Sequence, residues 1–206
     1  MHFEKDHLYH IFNRGNNSQR IVYNRNNYFF LLQKIKQYIL PYADVLAWCL
    51  LPNHFHLMVY INHVELSIAT TDSLTSSEAI SSRSPVKTRT LNDSIGIMLR
   101  TYTRAIHKQE NTSGPLFQKH TKAICLTEIN GISKSWFKHE YGTLINIPEA
   151  DKEYPNVCFN YIHQNPVLHK LSSNVEEWEF SSAQDYYTNR KGKLINKEKA
   201  KEFGMI

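Results

Sequence analysis

Residues 47–60, AWCLLPNHFHLMVY, constrain the fold more than any other stretch of the chain. They contain most of two apolar, strand-length runs, ADVLAWCLL (43–51) and HFHLMVYI (54–61), separated only by Pro52 and Asn53. That pattern predicts two strands in a hairpin or otherwise adjacent. The second run carries His54 and His56 where a core strand would carry aliphatic groups. On a strand, residues i and i+2 project from one face, about 6.5 Å apart. The two imidazoles therefore point together, while Phe55 and Leu57 enter the opposite layer. Two neutral imidazoles on one face can take adjacent positions on a metal ion. The competing reading is a solvated histidine face. With 11 histidines in 206 residues, chance alone supplies on the order of 0.6 such pairs.

The rest of the chain supplies elements around this hairpin. HLYHIFNRG (7–15) alternates and runs into a turn, as a first strand does. Residues 27–39 have apolar groups at helical spacing, and Pro41 follows. Residues 62–90 are rich in Ser and Thr and predict a flexible insertion. Helical periodicity returns over 91–109, with Asn92 or Asp93 as the expected cap. GPLFQKHTKAICL (114–126) predicts a fourth strand. Residues 127–150 fit no single pattern and are assigned as a variable insertion. YPNVCFNYIHQNP (154–166) predicts a helix ending at Pro166, because the residue before a proline is pushed out of helical conformation. An aromatic-rich segment, 176–187, is expected to pack on the domain. The order is that of a ferredoxin-like βαββαβ unit, an α+β fold with an antiparallel sheet and an additional C-terminal helix. One domain is expected over 1–187, with 188–206 as a tail.

Composition narrows the setting. A net charge of +5 and a pI near 9.0 favour a polyanionic partner such as nucleic acid. Three widely spaced cysteines without a CxxC pair argue against a disulfide framework and a cysteine zinc site, and for a reducing compartment. No basic-then-apolar leader opens the sequence, and no apolar run approaches the roughly 20 residues of a membrane span. A soluble, cytoplasmic protein with no membrane partner is expected.

A two-histidine site needs completing. A hard divalent ion such as Mg²⁺ or Mn²⁺ would add an oxygen donor and a substrate phosphate. Asn165 and Tyr161 lie four apart in YIHQNPV and share a helical face. Asn165 offers an amide oxygen, and Tyr161 a phenol to the same spot. Gln164 is the competing donor. The ordinary alternatives are a half-buried core tyrosine, one of twelve in the chain, and a helix-terminal asparagine satisfying backbone groups.

YHIFNRGNN, AWCLLPNHFHLMVY, IGIMLRTYTRAIHKQ, GPLFQKHTKA, YIHQNPV and WEFSSAQDYY occur in the order found in IS200-like transposases, and look closest to the branch called REP-associated tyrosine transposases. The resemblance spans most of 7–187 and is weak over 62–90 and 127–150. It implies the HUH class of single-strand endonucleases, a ferredoxin-like or RRM-like fold, His54, His56 and Asn165 as metal ligands, and Tyr161 as nucleophile forming a 5′-phosphotyrosine link. The expected partner is single-stranded or hairpin DNA, and the expected setting the nucleoid. The expected state is a monomer or homodimer. Arg14, Arg100, Arg104, Lys119 and Lys122 are candidate phosphate contacts, each with an ordinary surface charge as its alternative. Tyr102 and Phe117 are candidate stacking groups or core. Three activities fit: transposition, processing of chromosomal palindromes by a domesticated relative, and DNA binding without chemistry.

Overall fold

The computed structural model describes residues 1–68 and 87–127, the backbone of strands Trp136–His139 and Gly142–Ile145, and residues 150–206 with side chains from Tyr154 onward. Its centre is a four-stranded antiparallel sheet of β1 (Leu8–Arg14), β2 (Ala43–Leu50), β3 (His54–Ile61) and β6 (Lys122–Cys125), in the order β2-β3-β1-β6. This is the strand order of a ferredoxin-like unit, and β2 and β3 form the hairpin read from residues 47–60. The short strands β4 (Glu65–Ser67) and β5 (Thr88–Thr90) pair with each other at the base of the Ser/Thr-rich insertion. The remainder of that insertion, 69–86, lies outside the described residues. Within 127–150, β7 (Trp136–His139) pairs with β8 (Gly142–Ile145).

The sheet is buried on both faces. Helices α1 (Arg25–Tyr38) and α2 (Leu91–Glu110) cover the face carrying Tyr9, Ile11, Trp48, Leu50, Phe55, Leu57 and Val59. Helix α3 (Ala150–Leu168) covers the other, packing Tyr154, Cys158, Phe159, Tyr161 and Ile162 on Leu8, Ala47, Cys49 and Met58. Strands buried on both sides read as nearly continuous apolar runs rather than alternations, which is how β2 and β3 read.

Local chemistry sets the helix ends. Asn24 and Asn27 form a reciprocal capping box at the start of α1. Thr90 and Asp93 do the same for α2, so the cap is Thr90, and Asp93 is its N3 partner rather than the cap itself. Helix α3 does not stop before Pro166. It runs to Leu168, and the amides of His169 and Leu171 bond back to the carbonyls of Asn165 and Pro166. A proline in the last turn removes one intrahelical bond and leaves little helix beyond it to disrupt, so its bias against helix at Asn165 is overridden. The fourth strand is also shorter than 114–126. Residues 114–121 form a loop, and only Lys122–Cys125 join the sheet.

The outer edge of β2 does not face solvent. Leu50 N–H donates to Phe180 O at 2.9 Å, Ser182 N–H to Trp48 O at 2.9 Å, and Asn196 N–H to Val45 O at 2.8 Å. Trp178 Nε1 donates to Leu50 O at 2.9 Å, and Phe180 stacks on Tyr28 at 3.9 Å between ring centroids. The segment expected as a tail, 188–206, includes a short helix, Lys197–Glu202, whose Ala200 is fully buried against the sheet. Such covering protects the backbone groups of an edge strand from pairing with another chain.

Candidate functional site

The antiparallel register places Arg14 opposite His54, Phe12 opposite His56 and His10 opposite Met58. Directly opposed residues project from the same face. Leu8, His10, Phe12 and Arg14 of β1 thus share the face of His54 and His56, on the side covered by α3. The competing reading, a solvated histidine face, does not hold: helix α3 lies over this face, and His54, His56, Tyr161 and Asn165 are all buried.

These four residues meet. His54 Nε2 lies 3.3 Å from Asn165 Oδ1. The His56 ring stands edge-on to Tyr161, with centroids 5.5 Å apart. The His54 and His56 rings are perpendicular, 5.1 Å apart. Asn165 turns inward because its amide Nδ2 donates to Tyr161 O at 3.1 Å, one turn back on α3. That bond fixes Oδ1 toward the histidines. Gln164, the competing donor, is exposed on the far side of the helix.

The tautomers follow from the partners. His54 Nδ1 lies 2.6 Å from Asn53 Oδ1. A carbonyl oxygen only accepts, so this nitrogen carries the proton, and the Nε2 lone pair faces the Asn165 oxygen. Two acceptors turned toward each other make a natural seat for a cation. His56 Nδ1 is bonded to His10 Nε2 at 2.9 Å. The other His56 nitrogen, Nε2, is buried with no hydrogen-bond partner among the described residues. Buried polar atoms are rarely left so. Among the described residues no three His, Cys, Asp or Glu side chains gather as a metal cluster; the oxygen that faces His54 is the Asn165 amide.

Burial keeps His10 and His56 neutral. It brings His10 down to about 3. It also holds His56 well below the ordinary imidazole value, helped by the neighbouring His10, His54 and His169. Neutral imidazole is the form that ligates metals.

The sequence reading missed His10, Asn53 and His169, whose ring lies tilted against His54 with centroids 4.7 Å apart. His10 was detectable in principle: it alternates with Phe12 and Arg14 along the first strand. Its place beside His56 depends on strand register, which sequence alone does not give. Of the competing tyrosines, Tyr154, Tyr141, Tyr186 and Tyr187, two are engaged elsewhere. Tyr186 donates its hydroxyl to Leu46 O at 2.5 Å, and Tyr154 packs in the core under α3, where burial raises it to about 12. Tyr141 lies outside the described residues.

The basic residues divide into two groups. Arg14 and Lys122 lie on the histidine face; Lys122 is opposite Phe12 in the β1–β6 register, and its ammonium is 5.7 Å from the Phe12 ring centroid. Arg100 and Arg104 project from α2 in the other layer, and Lys119 is in the 114–121 loop, not on a strand. Tyr102 and Phe117 are core residues; the Tyr102 hydroxyl donates to Ile21 O at 2.7 Å.

No family model matches this chain, and no curated protein does. Among solved structures, a REP-associated tyrosine transposase bound to a REP hairpin is similar, with a TM-score of 0.53 and 15% identity, over 95% of this chain and 92% of that one. At that identity the likeness is one of fold, and it extends over nearly the whole of both chains. No helix among the described residues is long and apolar enough to cross a membrane.

Proposed function

We propose that this protein is a relative of the REP-associated tyrosine transposases that cleaves and rejoins single-stranded or hairpin DNA, with Tyr161 as nucleophile and His54, His56 and Asn165 holding Mg²⁺ or Mn²⁺. The observation that carries this reading is the convergence of two neutral imidazoles, an inward amide oxygen and one tyrosine beneath α3. The ion, when bound, polarises the scissile phosphate and stabilises charge on its non-bridging oxygens. Three neutral ligands leave its positive charge undiminished for that task.

The chain's own groups do the rest. The phenolic oxygen of Tyr161 forms a bond to phosphorus as the bond to the 3′ oxygen breaks. The proton lost by the phenol is balanced by the one gained at the new 3′-hydroxyl. The phosphodiester energy is kept in the tyrosyl link, so a 3′-hydroxyl of another strand can reverse the step and join new ends. Arg14 and Lys122, on the same face, attract the phosphate backbone.

Cleavage of a labelled REP-type hairpin should stop in chelator and return with Mg²⁺ or Mn²⁺. His54→Ala and His56→Ala should each lower it by more than a hundredfold while the protein stays folded. Undiminished cleavage in chelator would remove the metal from this reading.

His10 sets the direction of His56. Only the tautomer in which His56 Nδ1–H donates to His10 leaves Nε2 a lone pair for the ion. Outer-shell partners of ligating histidines are typically worth 10–100-fold in metal affinity. His10→Leu should therefore weaken Mn²⁺ binding by about that factor, measured by calorimetry in the absence of DNA, and His10→Gln, which keeps an acceptor, should recover part of it. Equal Mn²⁺ affinity in all three proteins would show that the His10–His56 bond has no part in the site.

A further inference from the structure

A cleft of about 640 Å³ opens between α2 and the 114–121 loop, in the layer away from the histidines. Arg100, Arg104 and Lys119 line it, together with His107 and His120, and no acidic residue does. The three permanent cations are exposed, and none is paired with a carboxylate among the described residues. The Thr90 hydrogen bonds, and more weakly Arg100, hold the Asp93 carboxyl below its ordinary range, but Asp93 does not line the cleft. A concave surface lined by cations and by no acid raises the local concentration of anions.

Its shape suits an extended polyanion. Arg100 and Arg104 are one helical step of four residues apart, about 6 Å along the axis of α2. Gly96 continues that row, and a Cβ there would sit only 3.1 Å from Arg100 Nη1. The absence of a side chain at Gly96 lets the Arg100 guanidinium lie back along the helix.

The loop that forms the opposite wall is pinned to the candidate site. Gln118 N–H donates to Arg14 O at 2.9 Å, and Asn16 N–H to Leu116 O at 2.9 Å. Asn13 Nδ2 donates to Thr121 Oγ1 at 2.9 Å, and Gln19 Nε2 donates to Pro115 O at 2.8 Å. The turn so held contains Arg14, the register partner of His54. The loop then leads directly into Lys122, on the histidine face. Cations therefore run from the histidine face through Lys122 and Lys119, around the end of the sheet, to Arg104 and Arg100.

We propose that this cleft is a second nucleic-acid site, which takes the sugar-phosphate backbone of the single-stranded DNA flanking the scissile phosphate and leads it around the end of the sheet. The proposal rests on the reading of the histidine–tyrosine site as a strand-cleaving centre. It adds that the DNA occupies both layers of the fold, and that the contacts in the α2 cleft are to phosphates and so blind to base sequence.

The test is binding of two fluorescein-labelled hairpins, one with a long single-stranded flank and one without, measured by anisotropy in chelator at several salt concentrations. The triple variant Arg100→Ala/Arg104→Ala/Lys119→Ala should bind the flanked hairpin at least tenfold more weakly at low salt. Each phosphate contact on a single strand contributes about 0.7 to the slope of log affinity against log salt, so the slope should fall by about 2. The bare hairpin should lose less than threefold. The Arg100→Lys/Arg104→Lys variant keeps the charges and should keep the slope, which separates charge from folding. An unchanged slope for the triple variant, or equal losses for both hairpins, overturns the proposal. The outcome is separable from the reading of the catalytic site, because it is read without catalysis. Wild-type cleavage with an unchanged slope sinks the cleft alone, and a reduced slope in a protein that never cleaves sinks the tyrosine reading and keeps the cleft.

Discussion

The Tyr161→Phe protein is expected to fold, bind hairpin DNA and leave it uncut. Only the hydroxyl is lost. The ring still fits edge-on against His56 and His10, at 5.5 and 6.2 Å between centroids, and still packs with Phe159 and Ile162 under α3. The Asn165 amide bonds to the backbone carbonyl of residue 161, not to its side chain, so the inward turn of Asn165 also survives. A nucleophile that forms a covalent intermediate has no substitute, and cleavage should fall by at least about a thousandfold. With the wild-type protein, a hairpin labelled on the side that keeps the 5′-phosphate should migrate with the polypeptide after denaturation. With Tyr161→Phe, adduct and cleavage should vanish together. Peptide mapping discriminates among the tyrosines: Tyr186 is tied to Leu46 by its hydroxyl, and the exposed Tyr187 is the accessible rival. A label on Tyr187, or robust cleavage by the phenylalanine protein, would falsify the assignment.

The second large effect is on stability in acid. His10, His56 and His163 are buried, and burial lowers all three; His10 and His163 fall to about 3. In the unfolded chain each returns to the ordinary value near 6.5. Between those limits the unfolded state binds more protons than the folded one, so stability rises with pH. The contribution is complete above about pH 6.5 and is lost as pH falls toward 3. Each histidine changes the stability by up to about 1.4 kcal/mol per pH unit in that window. His10 and His163 together remove several kcal/mol by about pH 4.5, with His56 acting in the same direction, against the roughly 5–15 kcal/mol that holds a typical domain folded. The urea midpoint, measured in chelator so that metal loss adds nothing, should drop steeply below about pH 6. A midpoint that stays level from pH 7 to 4.5 would show that the three imidazoles are not held neutral in the fold.

Much of the sheet was legible because its signals are local. Two apolar runs flanking Pro52-Asn53 could form little other than adjacent strands, and the alternation of His54 and His56 fixed their common face whatever lay above it. Tyr161 and Asn165 shared a helical face by spacing alone. What could not be read depended on pairing between distant residues. His10 meets His56 only through the β1–β3 register. The choice of Asn165 over Gln164 as the inward side chain depends on which face of α3 meets the sheet. Pro166 misled because its local bias is weaker than the packing and backbone bonds that continue α3 past it. The 114–121 loop looked like strand because Leu116 and Phe117 are apolar, yet they fill the core beside α2 while the backbone bonds to the turn after β1.

The sealing of β2 bears on how the chain is made. Trp48 and Ser182, which exchange backbone and side-chain bonds across that edge, are 134 residues apart. At synthesis rates of about 5–20 residues per second, the cover emerges roughly 7–27 s after the strand it covers. For that interval a nascent chain carries an apolar strand with one side unpaired, and neighbouring chains on the same messenger carry the same strand. A premature stop after α3 would make that interval permanent, and its product should accumulate as aggregate or be degraded, even though every residue of the histidine–tyrosine cluster has been synthesised.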